Sequence, residues 1–155
     1  MELKNKLAVV TGAGKGIGRA FAVMLAKEGA NIAAISRTQS DLQSLAREIG
    51  DVGRKAFVYE GDVSRESVIR DFIKGATEKM GGLDILVNNA GTILRAPAAE
   101  HPDQYWDQII EVNLNAQFVL SRELGKDMVA RGRGKIIFTA SLLTFQGGIT
   151  VPGYA

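Results

Sequence analysis

Five short, nearly continuous apolar runs separated by longer stretches of helical periodicity predict an α/β fold, a doubly wound parallel sheet. A glycine-rich turn after the first run, and small polar clusters after the other four, predict a ligand cleft along one edge of that sheet. The runs cover residues 7–10, 32–35, 56–59, 85–87 and 136–138. Apolar side chains at every position suit strands covered by helices on both faces. Helical patterns fill the gaps at 16–28, 40–49, 64–80 and 102–131. No repeat, low-complexity tract or linker divides the chain, so residues 1–155 are expected to be a single dinucleotide-binding, Rossmann-like domain.

Local signals set the expected boundaries. Ser64 is a suitable N-cap for the third helix, and Pro102 fits the first turn of the fourth. Gly29, Gly50 and the Gly81-Gly82 pair fit helix C-termini. Arg131-Gly132-Arg133-Gly134 reads as a turn between helix and strand, since no further RG units follow to make an RNA-binding tract. The last helical segment is apolar on more than one side, with Trp106, Ile109, Val112, Leu114, Phe118, Leu120, Leu124 and Met128. Covering a sheet needs one stripe. The surplus implies a second packing partner, a neighbouring helix or another subunit, or else a deeply buried helix. His101, beside Pro102, is expected to be solvated, and Trp106 to lie in a core or an interface.

Composition narrows the function classes. The chain of 155 residues is 46% apolar and 23% charged with net charge +2, and its cations are scattered among nearly as many carboxylates. No basic stripe suggests nucleic acid or a membrane surface. The absence of cysteine excludes disulfides and a thiolate nucleophile, and a single histidine leaves too few ligands for a zinc site. No run approaches the roughly 20 apolar residues that cross a bilayer, and no signal peptide opens the chain. The expectation is a cytoplasmic protein acting on a small molecule.

The loop Thr11-Gly12-Ala13-Gly14-Lys15-Gly16-Ile17-Gly18 carries the first chemistry. Glycine lets a backbone approach a ligand closely, and the helix that follows offers unpaired N–H groups and a positive dipole end to a pyrophosphate. The spacing is not G-x-G-x-x-G, because Ile17 stands where its last glycine belongs. It is not a nucleoside-triphosphate loop either, since Gly14-Lys15 precedes Gly16 and not Ser or Thr. It reads T-G-x-x-x-G-x-G. An NAD-binding protein places a carboxylate at the end of the second strand to bind the ribose hydroxyls. Here stand Ser36-Arg37-Thr38, and the first acid is Asp41, inside the next helix. Arg37, Ser36 and Lys15 suit a 2′-phosphate, so NADP(H) is expected ahead of NAD(H), although Arg37 also reads as a solvated residue opening a helix.

The same loop resembles the cofactor loop of the short-chain dehydrogenase/reductase family, and the resemblance extends over the whole chain. Asp62-Val63 is similar to the family's adenine-contacting pair, and Asn88-Asn89-Ala90-Gly91 to its NNAG signature under the cofactor. Asn113 matches the tetrad asparagine, and Ser141 precedes Tyr154 by thirteen residues, as in the family. The resemblance implies that Gly12, Lys15, Gly16, Ile17, Gly18, Asn89, Ala90 and Gly91 bind cofactor, and that Asn113, Ser141 and Tyr154 are catalytic. Tyrosine ionises near pH 10 and needs a neighbouring cation to act as acid–base at neutral pH. Family members supply a lysine four residues after it. That position lies past Ala155, so the chain is expected to be the N-terminal part of a dehydrogenase, cut after the fifth strand and inactive alone. The segment from Phe145 to Tyr154 is similar to gluconate- and deoxygluconate-type dehydrogenases, which implies a sugar-acid substrate. Arg95 is then a candidate for its carboxylate, though it also reads as a solvated loop residue, and Gln146 is a second substrate candidate. The apolar surplus on the helix at 102–131 is expected to serve a homo-oligomer, dimer or tetramer. A non-catalytic dinucleotide-binding or redox-sensing module is the alternative, but it has no reason to keep Ser141 and Tyr154 in register.

Overall fold

The computed structural model describes residues 2–155. All five expected strands form: β1 Leu7–Thr11, β2 Asn31–Ser36, β3 Ala56–Glu60, β4 Ile85–Asn88 and β5 Lys135–Phe138. They make one sheet of order β3-β2-β1-β4-β5, parallel throughout. The chain winds outward from β1 through β2 to β3, then returns to lay β4 on the other side of β1. The reversal leaves a crevice beyond the C-terminal ends of β1 and β4, where open α/β sheets take ligands.

The strands are apolar on both sides because each side packs on helices. Successive residues point to opposite faces. Leu7 and Val9 therefore join Ala33, Ile35 and Leu86 on one face, while Ala8 and Val10 join Ile32, Ala34, Ile85 and Val87 on the other. The second face carries α1 (Gly16–Lys27) and α2 (Gln39–Asp51), through Ala22, Ala26, Leu42, Leu45 and Ile49. The first carries α3 (Glu66–Met80) and α5 (Ala116–Ala130), through Ile69, Phe72, Val119, Leu120 and Leu124, and α4 (Asp103–Ile110) precedes α5 in the chain. Phe72 is fully buried and stacks on Phe57 at 6.1 Å between centroids. Truncating such a side chain to alanine typically costs about 3–5 kcal/mol.

The boundaries differ from expectation where local signals competed. Ser64 does not cap α3; its N–H bonds Asp62 Oδ1 at 3.0 Å and the helix starts two residues later, at Glu66. Pro102 is the N-cap of α4, with ψ of 141°, and not a first-turn residue. Gly50 lies inside α2, and the left-handed position after that helix falls to Gly53, φ +73°. The long helical segment is α4 and α5 joined by a π-helical turn, Glu111–Asn115. It is not deeply buried: Trp106 is 50% and Phe118 60% exposed. A short helix, α6 (Leu143–Gln146), and a 3-10 turn, Ala98–Glu100, were not anticipated. Strand β5 is an edge strand with Ile136, Ile137 and Phe138 all exposed.

A carboxylate pins the sheet at the end away from the crevice. Buried Asp84, just before β4, accepts the Leu7 N–H at 3.1 Å and the Arg131 guanidinium at 2.9 Å. Arg131 also donates to the Leu83 carbonyl and to Asp127. Burial works against the Asp84 charge, but the Leu7 N–H, Arg131 and nearby Lys6 outweigh it and hold the carboxyl below its ordinary value. A depressed carboxyl contributes stability above its unfolded pKa of about 3.9, and that contribution fades as pH falls through the folded value. Asp84→Asn is expected to cost the full-length protein about 1–3 kcal/mol at pH 7 by leaving Arg131 half-paired. Urea unfolding followed from pH 7 to pH 3 should show the gap between wild type and variant closing as the pH falls.

Candidate functional site

The crevice is built outward from Thr11, the last residue of β1 and fully buried. Its Oγ1 accepts the backbone N–H groups of Asn89 at 3.0 Å and Ala90 at 2.9 Å, and lies 3.4 Å from the Val87 carbonyl. The Asn89 side chain donates back to the Thr11 carbonyl at 3.0 Å. The turn after β4 is thus stitched to the end of β1. Gly12 follows with φ +63°, and a Cβ there would stand 3.0 Å from Ala90 Cα, so both the conformation and the space require glycine. A Cβ at Gly18 would meet the Gly12 carbonyl oxygen at 2.4 Å, which lets α1 seat directly on the loop.

A cleft of about 470 Å³ opens above this stitch. One end is formed by Gly14, Lys15, Ser36, Arg37, Thr38 and Asp41, where the glycine loop meets the end of β2 and the start of α2. Asp62 and Val63, after β3, line the middle. Asn89, Ala90, Gly91 and Thr92 line the other end with Gln108 and Val112 from the long helix. Neither Lys15 nor Arg37 pairs with a carboxylate among the described residues. The cleft therefore carries two uncommitted cations at one end. Gly16, Ile17 and Gly18 open α1 beside the cleft without lining it. No helix of the described residues is long and apolar enough to cross a membrane.

Asn113 sits within the π turn, and its amide closes on Thr92 in both directions. Oδ1 accepts the Thr92 N–H at 2.8 Å, and Nδ2 donates to the Thr92 carbonyl at 2.9 Å. One lone pair and one N–H remain for another partner. Ser141 follows β5, and its Oγ accepts the Leu143 N–H at the start of α6, 3.2 Å away. Tyr154 lies in a turn in which the N–H groups of Tyr154 and Ala155 both reach the Val151 carbonyl at 3.0 Å. A Cβ at Gly153 would come within 3.1 Å of Ile109 and 3.5 Å of Trp106, so this turn leans on α4. Ala96 N–H donates to the Thr150 carbonyl at 3.0 Å, tying the loop after β4 to the approach to Tyr154. No hydrogen bond joins Ser141 to Tyr154 among the described residues. Arg95 and Gln146 are exposed on these loops.

The family model described as short chain dehydrogenase matches residues 6–155. The chain belongs to the short-chain dehydrogenase family. It is 55% identical over 154 residues to the 2-dehydro-3-deoxy-D-gluconate 5-dehydrogenase of Pseudoalteromonas atlantica, covering 99% of this chain and 61% of that protein. A short-chain type dehydrogenase/reductase from Mycobacterium marinum superposes with a TM-score of 0.93 at 33% identity, over 99% of this chain and 63% of that one. The crystal structure of an NAD+-bound xylitol dehydrogenase gives a TM-score of 0.94 at 28% identity, over 99% and 60%. The short-chain dehydrogenase chain thus spans about three fifths of the length of the relatives it matches.

The strand-end reading stopped one residue short of Thr92 and did not reach Gln108. Gln108 and Val112 are four apart, on one face of the long helix, and that spacing was the available signal. His101, expected to be solvated, has its Nε2 buried without a partner and its ring edge-on to Tyr105. In the full-length protein, Thr11→Val keeps the shape of the side chain but leaves the Asn89 and Ala90 N–H groups without an acceptor. It is expected to cost about 1–3 kcal/mol of stability, with Thr11→Ser nearly neutral, by urea denaturation.

Proposed function

We propose that the full-length protein is an oxidoreductase that moves a hydride between NADP(H) and a carbonyl or secondary alcohol, with sugar acids as the substrate class. The observation that carries this reading is the cleft, which runs from two unpaired cations at one end to the Asn113-clamped Thr92 at the other. Its walls fit a dinucleotide. Gly12, Gly14 and Gly18 all pack so closely that a Cβ at any of them would intrude on a neighbour, and the N-terminus of α1 opens at the loop. Asp62, Val63, Asn89, Ala90 and Gly91 are the residues that would hold the rest of it. When bound, the nicotinamide supplies or accepts the hydride.

The chain's own residues handle the proton and the oxygen. Tyr154 donates its phenolic proton to the oxygen as the alkoxide develops, and Ser141 donates a hydrogen bond that polarises the carbonyl. Asn113 keeps the Thr92 loop at the mouth of the site and has capacity left for a water that replenishes the proton. Arg95, exposed beside the Ala96–Thr150 tie, is the residue that would meet a substrate carboxylate with its guanidinium fork. The Pseudoalteromonas relative's name, a dehydrogenase of a deoxy sugar acid, supports that substrate class. Selectivity for NADP(H) is supported by Arg37, Ser36 and Lys15 at the cation-rich end and by the lack of an acid at the end of β2. The partner is a second copy of the chain, docked on the long helix, where Trp106 of α4, Leu114 of the π turn and Phe118 of α5 are each exposed.

The full-length protein should turn over keto or hydroxy sugar acids faster than their uncharged lactones. Tyr154→Phe should remove nearly all turnover while cofactor titration stays unchanged; equal rates on acids and lactones, or an active Tyr154→Phe, would overturn the reading. Titration with both cofactors should show tighter binding of NADP(H). Arg37→Ala should weaken that form selectively, by about ten- to a hundredfold for one charge-assisted hydrogen bond.

A further inference from the structure

Arg19, in the first turn of α1, commits all of its guanidinium N–H groups inside the chain. Nε and Nη2 reach Glu48 Oε2 at 3.1 and 2.8 Å, and Nη2 also donates to Ser44 Oγ at 3.1 Å. Nη1 divides between the carbonyl oxygens of Gly14 at 3.4 Å and Asp41 at 3.3 Å. Gly14 and Asp41 both belong to the cleft wall, whereas Arg19 does not line the cleft. Its guanidinium is thus a bridge behind that wall, from the glycine loop to the first turns of α2.

The junction it holds has no slack. A Cβ at Gly14 would stand 2.6 Å from Ser36 Oγ and 3.1 Å from Asp41 Cβ, so the loop is pressed onto the end of β2 and the start of α2. Lys15 follows Gly14 and Arg37 follows Ser36. The distance between these cations is therefore set by how loop, strand end and helix start are clamped together. A planar five-donor fork can span the Gly14 and Asp41 carbonyls while Glu48 and Ser44 fix its other side; an ammonium on a flexible stem cannot.

We propose that Arg19 is a positioning residue for cofactor selectivity, holding the glycine loop against α2 so that Lys15 and Arg37 meet the 2′-substituent of the adenosine ribose at a fixed spacing. The proposal rests on the NADP(H) reading above. A residue that merely supports the fold would weaken both cofactors alike. A residue that sets the spacing of two cations acts on the form that carries the extra phosphate.

The test is titration of the full-length protein with NADP(H) and with NAD(H), for wild type, Arg37→Ala, Arg19→Met, Arg19→Lys and Glu48→Gln. Thermal midpoints are measured without cofactor alongside. Arg19→Met is expected to raise the Kd for NADP(H) about tenfold and that for NAD(H) less than about threefold. Arg19→Lys should resemble Arg19→Met and not wild type, and Glu48→Gln should shift the ratio of the two Kd values in the same direction by less. Glu48 is half-exposed and leaves Arg19 in place, so that variant remains informative if the Arg19 variants fail to fold. If Arg37→Ala is selective but the Arg19 and Glu48 variants leave the ratio unchanged, or lower both affinities together with the thermal midpoint, the positioning role is overturned alone. If Arg37→Ala is itself unselective, the NADP(H) reading falls and the positioning role with it.

Discussion

A parallel sheet that reverses its winding must part at the reversal, and in this chain the Thr11 hydroxyl spans the gap. Backbone groups beyond the strand ends have no ladder partner, so they must find one elsewhere. Thr11 takes those of Asn89 and Ala90, and the turn so fixed becomes the base of everything above it. The Gln117 side chain reaches the Ala90 carbonyl, and the Asn113 amide closes on Thr92. The long helix is therefore registered against the glycine loop through a short relay of hydrogen bonds that begins at one side chain on β1.

Charge is distributed with the same economy. Arg19, Arg70, Arg122 and Arg131 all meet carboxylates, in networks that join α1 to α2, α3 to α5, and α5 to the foot of β4. Most of these pairs are exposed and add little individually to stability. Lys15 and Arg37, in the cleft wall, take no part in these networks among the described residues. Asp41 and Asp62 share that wall without pairing with either cation, so both signs of charge stand available to a ligand in one concave site.

The strands and the cleft's strand-end residues were legible because periodicity, glycine spacing and the strand-end rule are local or nearly so. What escaped the sequence reading was tertiary. Asp84 and Arg131 are 47 positions apart, and Asn113 reaches a backbone 21 positions away, so neither contact leaves a local signature. The capping rules failed at α3, where Ser64 donates its N–H to Asp62, Arg65 takes the N-cap position and the helix starts at Glu66. Gly50 looked like a terminus because glycine disfavours helix interiors, yet the left-handed turn three residues later settled the end. The π turn was hidden because apolar spacing along residues 109–124 suits either kind of helix. The exposure of Trp106 and Phe118 was left open, since a stripe in sequence does not say what faces it.

That π turn has a consequence for how the chain can change length. A helix that carries one wide turn holds a residue more than a regular α-helix between the same two contact points. Losing one residue from Glu111–Asn115 would therefore restore a regular helix with α4 and α5 still in phase, whereas a residue lost from the regular turns of α5 would rotate everything after it by about 100°, with a shift of about 1.5 Å. In the first case Val119, Leu120 and Leu124 keep their places in the core and Phe118 stays outside it. What the wide turn supplies is the setting of Asn113, whose amide reaches Thr92 from within it. The turn is thus a place where the long helix could give up a residue and keep its packing, at the cost of the Asn113 clamp.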